Sequence, residues 1–402
     1  MIDSIKLENR SLIIILFLIL SLIQSSVYPQ QLNDSLISVK FSGDAKVEVG
    51  SPFAGIEFHH SSLVPQRISF YYPVANSIDL STDYWKRDTT FISSLGLKIN
   101  NGDFHEIGKE PFLLEMTPYY ASFKKKYTGY QIKVSYNFSS NQSAVVVTYV
   151  VTNTTNQTNT YEFETKNYLT LRTCHTYNFI DKIRPEFIKD KSTLIVDYDD
   201  IGAGHAQIFI ENAGIKPDKY ELSEETNTIH IDNRIIKNPY IKFSYKNELV
   251  PNEKMVIVQI IGSAKRGEGE KVADYMRGNY EMEIRDYSNS ILNKSINKEG
   301  IKLNDPIMDH SVLWAKAILA VNAQYIDGSF EPMPCPAEYN FFFTHDVLLT
   351  DLAAVNYDLK RVRNDLSFII NHADKNKVIP HAYYWKDSTY KTEYAGTDNW
   401  NN

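Results

Sequence analysis

Cysteine is almost absent from this sequence, and several motifs that mark whole classes of protein are missing. Only Cys174 and Cys335 occur among 402 residues, which excludes a disulfide-rich scaffold. The sequence also has no CxxC pair, no Walker motif, no GxGxxG fingerprint and no HExxH segment. It therefore lacks the usual signatures of thiol redox proteins, nucleotide-binding folds and zinc proteases. We place the two cysteines in different domains, where they could form one bridge or remain separate buried thiols.

Positive charge is in deficit. The chain has 42 Lys and Arg against 49 Asp and Glu, a net charge of -7 at pH 7, which argues against nucleic acid as a partner. Tryptophan is scarce, with 4 residues, but there are 27 tyrosines. Tyrosine-rich surfaces suit contact with carbohydrate or peptide, although tyrosine is also common in β-rich cores. Histidines do not cluster at metal-ligand spacing, and we predict neither a metal nor a cofactor.

Long hydrophobic runs are missing except near the N-terminus. Lys6 and Arg10 precede an apolar run at residues 11–23, and a small, polar segment follows. This order predicts a secretory signal peptide over residues 1–30 and an exported protein, periplasmic or extracellular. The run is shorter than the roughly 20 residues of a membrane span, and an uncleaved anchor is the alternative.

Residues 31–265 have the pattern of a β-sandwich. Short segments rich in Val, Ile, Tyr and Thr recur between turn residues. In one of them Tyr130, Ile132, Val134 and Tyr136 alternate with polar residues, which puts them on one face of a strand. No helical pattern separates these segments, so we expect a large, supersandwich-like domain rather than βαβ units.

The periodicity becomes helical at about Arg266. Residues 266–308 are predicted to be a linker containing a helix. Three further helices are predicted at residues 309–327, 345–358 and 358–374. Asp309 is expected to cap the first of these, and Asp327-Gly328 to end it. In the last, the residues expected to face inward are Val362, Leu366, Ile369 and Ile370.

The helices are joined alternately by short turns and long, aromatic loops. Stacked helical hairpins of an (α/α)6 toroid have this rhythm, with the long loops gathered at one rim. We therefore interpret residues 309–402 as the N-terminal part of such a toroid, truncated at the C-terminus, because a closed ring needs about three times that length. Residues 397–402 would begin its next inner helix.

Acidic and aromatic residues are concentrated in those long loops. Glycoside hydrolysis needs two carboxylates that flank the sugar, one of them protonated. Aromatic rings supply stacking platforms, and acidic groups hold ring hydroxyls. The residues of this kind are Asp327, Phe330, Glu331, Glu338, Tyr339, Phe341, Phe342, Phe343, His345, Asp346, His381, Tyr383, Tyr384, Trp385, Asp387, Glu393, Asp398 and Trp400.

Three segments carry a resemblance to a known superfamily. They are W-A-K-A at 314–317, D-G-S-F-x-x-x-P at 327–334 and F-T-H-D at 343–346. In this order, after a β-sandwich, they resemble the six-hairpin glycosidases, which include glucoamylases, debranching amylo-α-1,6-glucosidases, mannosyl-oligosaccharide glucosidases and trehalases. The debranching and mannosyl-oligosaccharide types are the most similar. The resemblance covers residues 305–402 in sequence and the sandwich in architecture only.

The resemblance implies roles for particular residues. Asp346 would hold substrate hydroxyls, with His345 standing where the superfamily has Arg. Asp398, in Y-A-G-T-D, would be the general acid of an inverting enzyme that cleaves an α-glucosidic oligosaccharide or polysaccharide. The general base would lie beyond residue 402, so the fragment itself is expected to be inactive. The implied substrate-binding set is Phe343, His345, Asp346, Tyr384, Trp385, Glu393 and Trp400.

Other interpretations of the same residues stay open. Asp346 could be a helix N-terminal residue favoured by the dipole, and Asp398 an N-cap. Trp385 and Trp400 could be core anchors, and His345 a buried, hydrogen-bonded histidine. For the whole protein, the alternatives are a disaccharide phosphorylase-like enzyme and a non-catalytic carbohydrate-binding surface protein. We predict no membrane association beyond the export signal. The sequence does not identify the oligomeric state.

Overall fold

The structure is a computed structural model, and the residues it describes belong to one compact unit within Ile37–Asn402. The predicted signal peptide, both cysteines, Asp398 and Trp400 lie outside the described residues. So do Glu338, Tyr339 and Asp387. The described residues are 37–44, 46–59, 62–74, 78–80, 91–108, 112–172, 179–180, 182–228, 233, 235–296, 303–333, 337, 341–386 and 388–394.

Strands dominate the first two thirds of the described chain, and helices enter after them. The strands are β1 (Val39–Ser42), β2 (Val47–Gly50), β3 (Ala54–Phe58), β4 (Arg67–Phe70), β5 (Ile78–Leu80), β6 (Ser93–Ile99), β7 (His105–Ile107), β8 (Leu113–Thr117), β9 (Tyr120–Tyr127), β10 (Tyr130–Phe138), β11 (Ala144–Asn153), β12 (Asn159–Tyr168), β13 (Leu171–Arg172), β14 (Phe179–Ile180), β15 (Ile183–Ile188), β16 (Thr193–Tyr198), β17 (Ala206–Gly214), β18 (Lys219–Thr228), β19 (Ile235–Leu249), β20 (Lys254–Lys265), β21 (Ala323–Ile326), β22 (Ser329–Pro332), β23 (Phe342–Phe343), β24 (Ala382–Lys386) and β25 (Thr389–Glu393). The helices are α1 (Gly269–Ser295), α2 (Pro306–Val321), α3 (Thr344–Ala354) and α4 (Leu359–Asn371).

The strands before α1 form three antiparallel sheets. The nine-stranded sheet has the order β1-β8-β9-β10-β11-β20-β17-β16-β15. The five-stranded sheet has the order β18-β19-β12-β6-β7, and the six-stranded sheet the order β14-β13-β5-β4-β3-β2. Side-chain alternation sets the register: along β10 the residues are alternately buried and half-buried, with Tyr130, Ile132, Val134 and Tyr136 inside. The alternation predicted for this segment is confirmed.

The nine-stranded and five-stranded sheets pack face to face. Tyr149 of β11 contacts Phe163 of β12, with ring centroids 5.4 Å apart. At the centre, the Gln259 side-chain amide of β20 donates to Thr165 Oγ1 and to the Tyr245 hydroxyl, each at 3.0 Å. These two hydrogen bonds join buried polar groups across the layer, where an unpaired donor would be costly. The predicted β-rich N-terminal domain is thus confirmed.

Helix α1 covers the outer face of the nine-stranded sheet. Its Ala273, Met276 and Ile284 pack on strand residues that include Val146 and Ile260. Their spacing of three and eight residues is that of one helix face. At the side of this contact, Arg277 Nε lies 2.5 Å from Glu211 Oε1 of β17, and Glu211 is fully buried. The linker segment was predicted to be helical, and it also forms part of the core.

Helix α2 differs from its prediction at both ends. Asp305, rather than Asp309, is the N-cap, and its carboxylate accepts from the N–H groups of Ile307 at 2.9 Å and Met308 at 3.2 Å. Pro306 then occupies the first helical position, which suits its fixed φ. The helix ends at Val321, six residues before its predicted end.

The residues that were predicted to end this helix instead turn a hairpin. Asp327 and Gly328 have φ values of +46° and +91° and connect β21 to β22, where Ile326 pairs with Ser329. Asp-Gly with positive φ at both positions is typical of the tight turn that matches strand twist. The prediction of a helix stop was wrong because this hairpin turn competes with the helical pattern.

Helices α3 and α4 begin within one residue of their predicted starts but end at Ala354 and Asn371, before the predicted residues 358 and 374, and the inward face of α4 differs from the prediction. Ile369 is buried as expected, whereas Leu366 is 43% and Ile370 68% exposed in the described chain. Asp365 and Phe368 take the inward positions. The buried side of α4 is therefore rotated from the apolar stripe that the sequence suggests, and it includes a carboxyl group.

The helical part has its own small core, and the β part contributes to it. Ile326, Phe342, Val347, Phe368, Ile369 and Tyr383 cluster with Tyr71, which follows β4 and is fully buried. A partial helical domain therefore packs on the β domain; the closed toroid stays a prediction. Within the described residues, none of the helices is both long and apolar enough to cross a lipid bilayer.

Candidate functional site

A three-stranded sheet beside α3 brings the predicted site residues together. β23 pairs with β24, and β24 with β25, so that Phe343 lies opposite Ala382 and Ala382 opposite Glu393. The backbone of His381 extends this connection. Its N–H donates to the Glu393 carbonyl at 2.7 Å, and its carbonyl accepts from Thr344 N–H at 3.1 Å.

One face of this sheet carries an aromatic shelf, made of Phe341, Phe343 and Tyr384. The ring of Phe341 lies 5.9 Å from that of Phe343 and 5.4 Å from that of Tyr384. All three rings are half-buried, so they are fixed by packing while part of each surface stays accessible. Glu393 lies opposite Ala382, which is two residues before Tyr384 on β24. Because residues two apart on a strand share a face, Glu393 and Tyr384 lie on the same face of the hairpin. Glu393 Oε2 accepts a hydrogen bond from the Tyr384 hydroxyl at 3.3 Å.

Two histidines and a carboxylate border the shelf. His345 and Asp346 are in the first turn of α3, where the helix dipole favours the negative charge of Asp346. Their side chains approach to 3.5 Å, from His345 Nε2 to Asp346 Oδ2. The imidazole of His381 stacks on that of His345 at 5.8 Å and meets the ring of Phe343 edge-on at 5.8 Å.

This arrangement suits a polar ligand with one apolar face. Aromatic surfaces stack on such a face, and carboxylates and imidazoles beside them accept or donate hydrogen bonds at its edge. In the part of the chain that the structure describes, no three His, Cys, Asp or Glu side chains are arranged to hold a metal ion.

Trp385, which was predicted to bind substrate, lies on the other face of the hairpin. It is paired with Tyr390 in the sheet, and the two rings are 5.1 Å apart. Its indole N–H donates to the carbonyl of Gly202 in the β domain at 2.9 Å. This position makes Trp385 an anchor between the two parts of the chain, and its substrate role stays a prediction.

Among the sequence-predicted residues, Phe343, His345, Asp346, Tyr384 and Glu393 are brought together, whereas Asp398 and Trp400 lie outside the described residues. The structure adds Phe341 and His381 to the cluster. Both stand in the aromatic loops that the sequence singled out, but only strand pairing across about 40 residues shows that they meet.

A second group of carboxyls is buried in the C-terminal part of the described chain: Glu331, which is among the candidate residues from the sequence, and Asp351 and Asp365, which the sequence did not suggest. Glu331 on β22 is buried, and burial raises its pKa to about 7 although a hydrogen bond to Ser329 opposes this. Asp351 and Asp365 on α3 and α4 are also buried. No sequence motif marks Asp351 or Asp365. The only indication is that each is an acidic residue on the side of its helix that faces inward.

Comparisons with known proteins were made at the levels of sequence and fold. No protein-family model matches the sequence, and no curated protein matches it. The structure is similar to a putative kojibiose phosphorylase from the human microbiome, with a TM-score of 0.57 and 9% identity over 88% of this chain and 53% of that one. It is also similar to a bacterial glucoamylase complexed with acarbose, with a TM-score of 0.50 and 12% identity over 87% of this chain and 55% of that one.

The chain spans about half the length of both structures. At these identities the likeness concerns the fold alone. The described part of this chain is similar in fold to about half of a glucoamylase and of a putative kojibiose phosphorylase.

Proposed function

We propose that the chain belongs to an exported, periplasmic or extracellular enzyme that hydrolyses α-glucosidic bonds of oligosaccharides. The observation that carries the proposal is the aromatic shelf bordered by Asp346, His345 and Glu393, in a fold shared with a glucoamylase. The debranching type, among the six-hairpin enzymes, is the specific relative that the sequence favours.

Within this function each part of the site has a distinct task. Phe341, Phe343 and Tyr384 would stack on the apolar face of a sugar ring. Asp346 and His345 would hold ring hydroxyls, which charged acceptors bind strongly. Glu393, held by Tyr384, would bind at the shelf edge. Trp400 is proposed as a further stacking residue, on sequence grounds.

The reaction itself would follow the inverting scheme. A protonated carboxyl gives its proton to the leaving oxygen while a carboxylate on the other side activates water, with about 6.5–9.5 Å between the two groups. We propose Asp398 as the acid, from its place in Y-A-G-T-D. No described residue is proposed as the base.

The test has a binding arm and a turnover arm. Acarbose and maltotriose binding to the 402-residue chain is measured by calorimetry, for the parent, Asp346→Asn and Phe343→Ala. We expect about tenfold weaker binding in each variant, because a lost stacking contact or charged hydrogen bond is worth about 1.4 kcal/mol or more. Phe104→Ala, which removes a 43% exposed ring of the β domain, is the matched control and should bind like the parent.

Turnover is measured on the gene's complete reading frame, as glucose release from maltose, isomaltose, nigerose, trehalose and limit dextrin. Asp398→Asn should lower the rate by about 10²–10⁴-fold, the usual contribution of a general acid. Unchanged turnover in this folded variant would remove Asp398 from that role, and absence of binding by the parent chain would refute the sugar site.

Phosphorolysis is the second candidate, supported by the fold shared with the putative kojibiose phosphorylase. Phosphate would then replace water as the nucleophile, and glucose 1-phosphate would replace one glucose among the products. Adding inorganic phosphate to the turnover assay separates the two reactions. Sugar binding with no product under either condition would favour the third alternative, a non-catalytic carbohydrate-binding surface protein.

A further inference from the structure

The peptide of Ala337 is held on both sides by the β domain. Its carbonyl accepts from the Arg67 guanidinium and, at 3.3 Å, from Ser69 Oγ, both on β4. Its N–H donates to Glu48 Oε2 on β2 at 3.2 Å. Ala337 is itself fully buried, so these contacts are shielded from water. Hydrogen bonds to charged groups are stronger in such an interior than in water.

Arg67 is fixed in place by a buried carboxylate. Its side chain is 1% exposed, and its Nε lies 3.4 Å from Oε2 of Glu57, which is fully buried. Glu57 also receives Lys46 Nζ at 3.1 Å and His59 Nε2 at 2.5 Å. An arginine in such surroundings cannot leave its partner without stranding a charge in the interior. The guanidinium of Arg67 thus faces Glu57 with Nε and donates to the Ala337 carbonyl through Nη2.

Ala337 lies directly before the aromatic shelf. Three residues lie between it and Phe341, and the four residue steps of an extended chain reach no more than about 14 Å. Phe341 touches both other rings of the shelf. The point at which the β domain holds Ala337 therefore limits where the ring of Phe341 can stand.

We infer that Arg67 is a positioning residue for the aromatic shelf: through Ala337 it sets the place of Phe341, although it is remote from the sugar itself. This inference rests on the proposed sugar site for its functional consequence. The β domain would then act on ligand affinity through its hold on Ala337, beyond its contribution to the fold.

The first arm of the test measures, without any ligand, how strongly the Ala337 amide is protected from hydrogen exchange. Arg67→Lys keeps a positive charge against Glu57, but a single ammonium on a shorter stem cannot serve both partners. Ser69→Ala removes the weaker contact and leaves the charges intact. Hydrogen exchange of the Ala337 amide should be about tenfold faster in Arg67→Lys and a few-fold faster in Ser69→Ala. Amides of β10 and β11 should keep the parent's rates.

The second arm measures acarbose affinity of the same variants, with Arg184→Lys as the matched control because Arg184 pairs with Asp199 at an exposed site of the β domain. We expect about tenfold weaker binding in Arg67→Lys at a temperature where it is fully folded, and parent affinity in the control. A Phe341→Ala background should abolish this difference, because the ring that Arg67 positions is gone.

The outcomes separate this inference from the proposed function. Unchanged exchange at Ala337 in Arg67→Lys would overturn the inference, whatever the sugar result. Faster exchange with parent affinity would also overturn it, since Arg67 would then stabilise the loop without positioning the shelf. If the parent binds no sugar at all, the proposed function fails, and the exchange arm alone decides whether Arg67 holds the loop.

Discussion

Asp351 on α3 and Asp365 on α4 both have buried carboxyl groups on helices that pack together, and the pKa of each depends on the other. Burial raises the pKa of Asp365 to about 8, and Asp351 adds to the effect. The pKa of Asp351 is raised as well, chiefly by burial. Arg361, whose Nε is 3.5 Å from Asp365, opposes the shift of Asp365, and Glu331 strengthens it. At neutral pH the carboxyl of Asp365 therefore keeps its proton.

This pair should make the chain less stable as the pH rises from about 4 to about 8. The unfolded aspartate releases its proton near its ordinary pKa of about 3.9, whereas the folded one keeps it up to about 8. Over that interval the unfolded state is progressively favoured, and above it the penalty is constant. Asp365→Asn cannot ionise, so the variant should gain at least about 1 kcal/mol over the parent between pH 4 and pH 8. Urea unfolding at both pH values measures this, with Asp286→Asn, an exposed position, as control. Parallel pH profiles for parent and Asp365→Asn would contradict a raised pKa of Asp365.

The turn between β10 and β11 should respond to pH in the opposite sense. Glu283 of α1 accepts from Ser139, Ser140 and Asn141 in that turn. Desolvation acts to raise its pKa, but these hydrogen bonds, with one from Tyr275, lower it below its ordinary value. The stabilisation is thus present above pH 4.5 and is lost as the pH falls through the folded pKa.

Glu283→Gln should therefore cost about 1.5–3 kcal/mol at pH 7, the contribution of hydrogen bonds to a charged group. The difference from the parent should shrink from pH 7 to pH 3, because the carboxylate of Glu283 is progressively protonated as the pH falls. Thermal unfolding at the two pH values tests this, and Glu281→Gln, at an exposed position of the same helix, is the control. An equal loss at both pH values would mean that packing, rather than charge, explains the effect.

Two glycines should respond to alanine in opposite directions. A Cβ on Gly262 of β20 would stand 2.7 Å from the Ser143 carbonyl oxygen and closer still to the ring of Phe209. Gly262→Ala should cost about 1–3 kcal/mol of stability through overpacking.

Gly278 is inside α1, and nothing lies within 4 Å of a Cβ placed on it. Gly278→Ala should gain about 0.5–1 kcal/mol because alanine restricts the unfolded chain and favours helix. Urea midpoints of the two variants check the signs, and a stable Gly262→Ala would contradict the close approach of Phe209 and Ser143 to this glycine.

Trp385→Phe should separate anchoring from sugar binding. Phenylalanine keeps an aromatic ring but cannot donate to Gly202. We expect a loss of about 1 kcal/mol of stability, the net worth of one hydrogen bond plus some packing, and acarbose affinity within about twofold of the parent. A large loss of affinity at unchanged stability would instead restore the substrate role that the sequence predicts for this residue.

Local patterns were enough to predict the elements with regular periodicity. The strand containing Ile132 and Val134 follows from its alternation, and the position of α4 from its helical periodicity. The turn at Asp327-Gly328 was misread because one Asp-Gly pair can end a helix or turn a hairpin, and strand pairing decides between them.

The site was predictable in composition and only partly in geometry. The pattern F-T-H-D located His345 and Asp346 at a helix start, and the structure has them there. Adjacent strand residues always face opposite sides, but which of Tyr384 and Trp385 lies on the side of the shelf depends on the pairing of β24 with its neighbours. The burial of Asp365 in place of Leu366 depends on what packs on α4, and helical periodicity alone assigns the inward face to apolar residues.

Tyr71 joins the β domain to the helical core, and this limits how the two parts can evolve separately. It directly follows β4 of the six-stranded sheet and packs in the helical core with Phe342 and Phe368. Removal of either part would expose a large apolar ring or leave a cavity, and both are costly. The strands and helices are therefore expected to melt in one transition, and neither is a module that can be exchanged for another without a matching change in its neighbour.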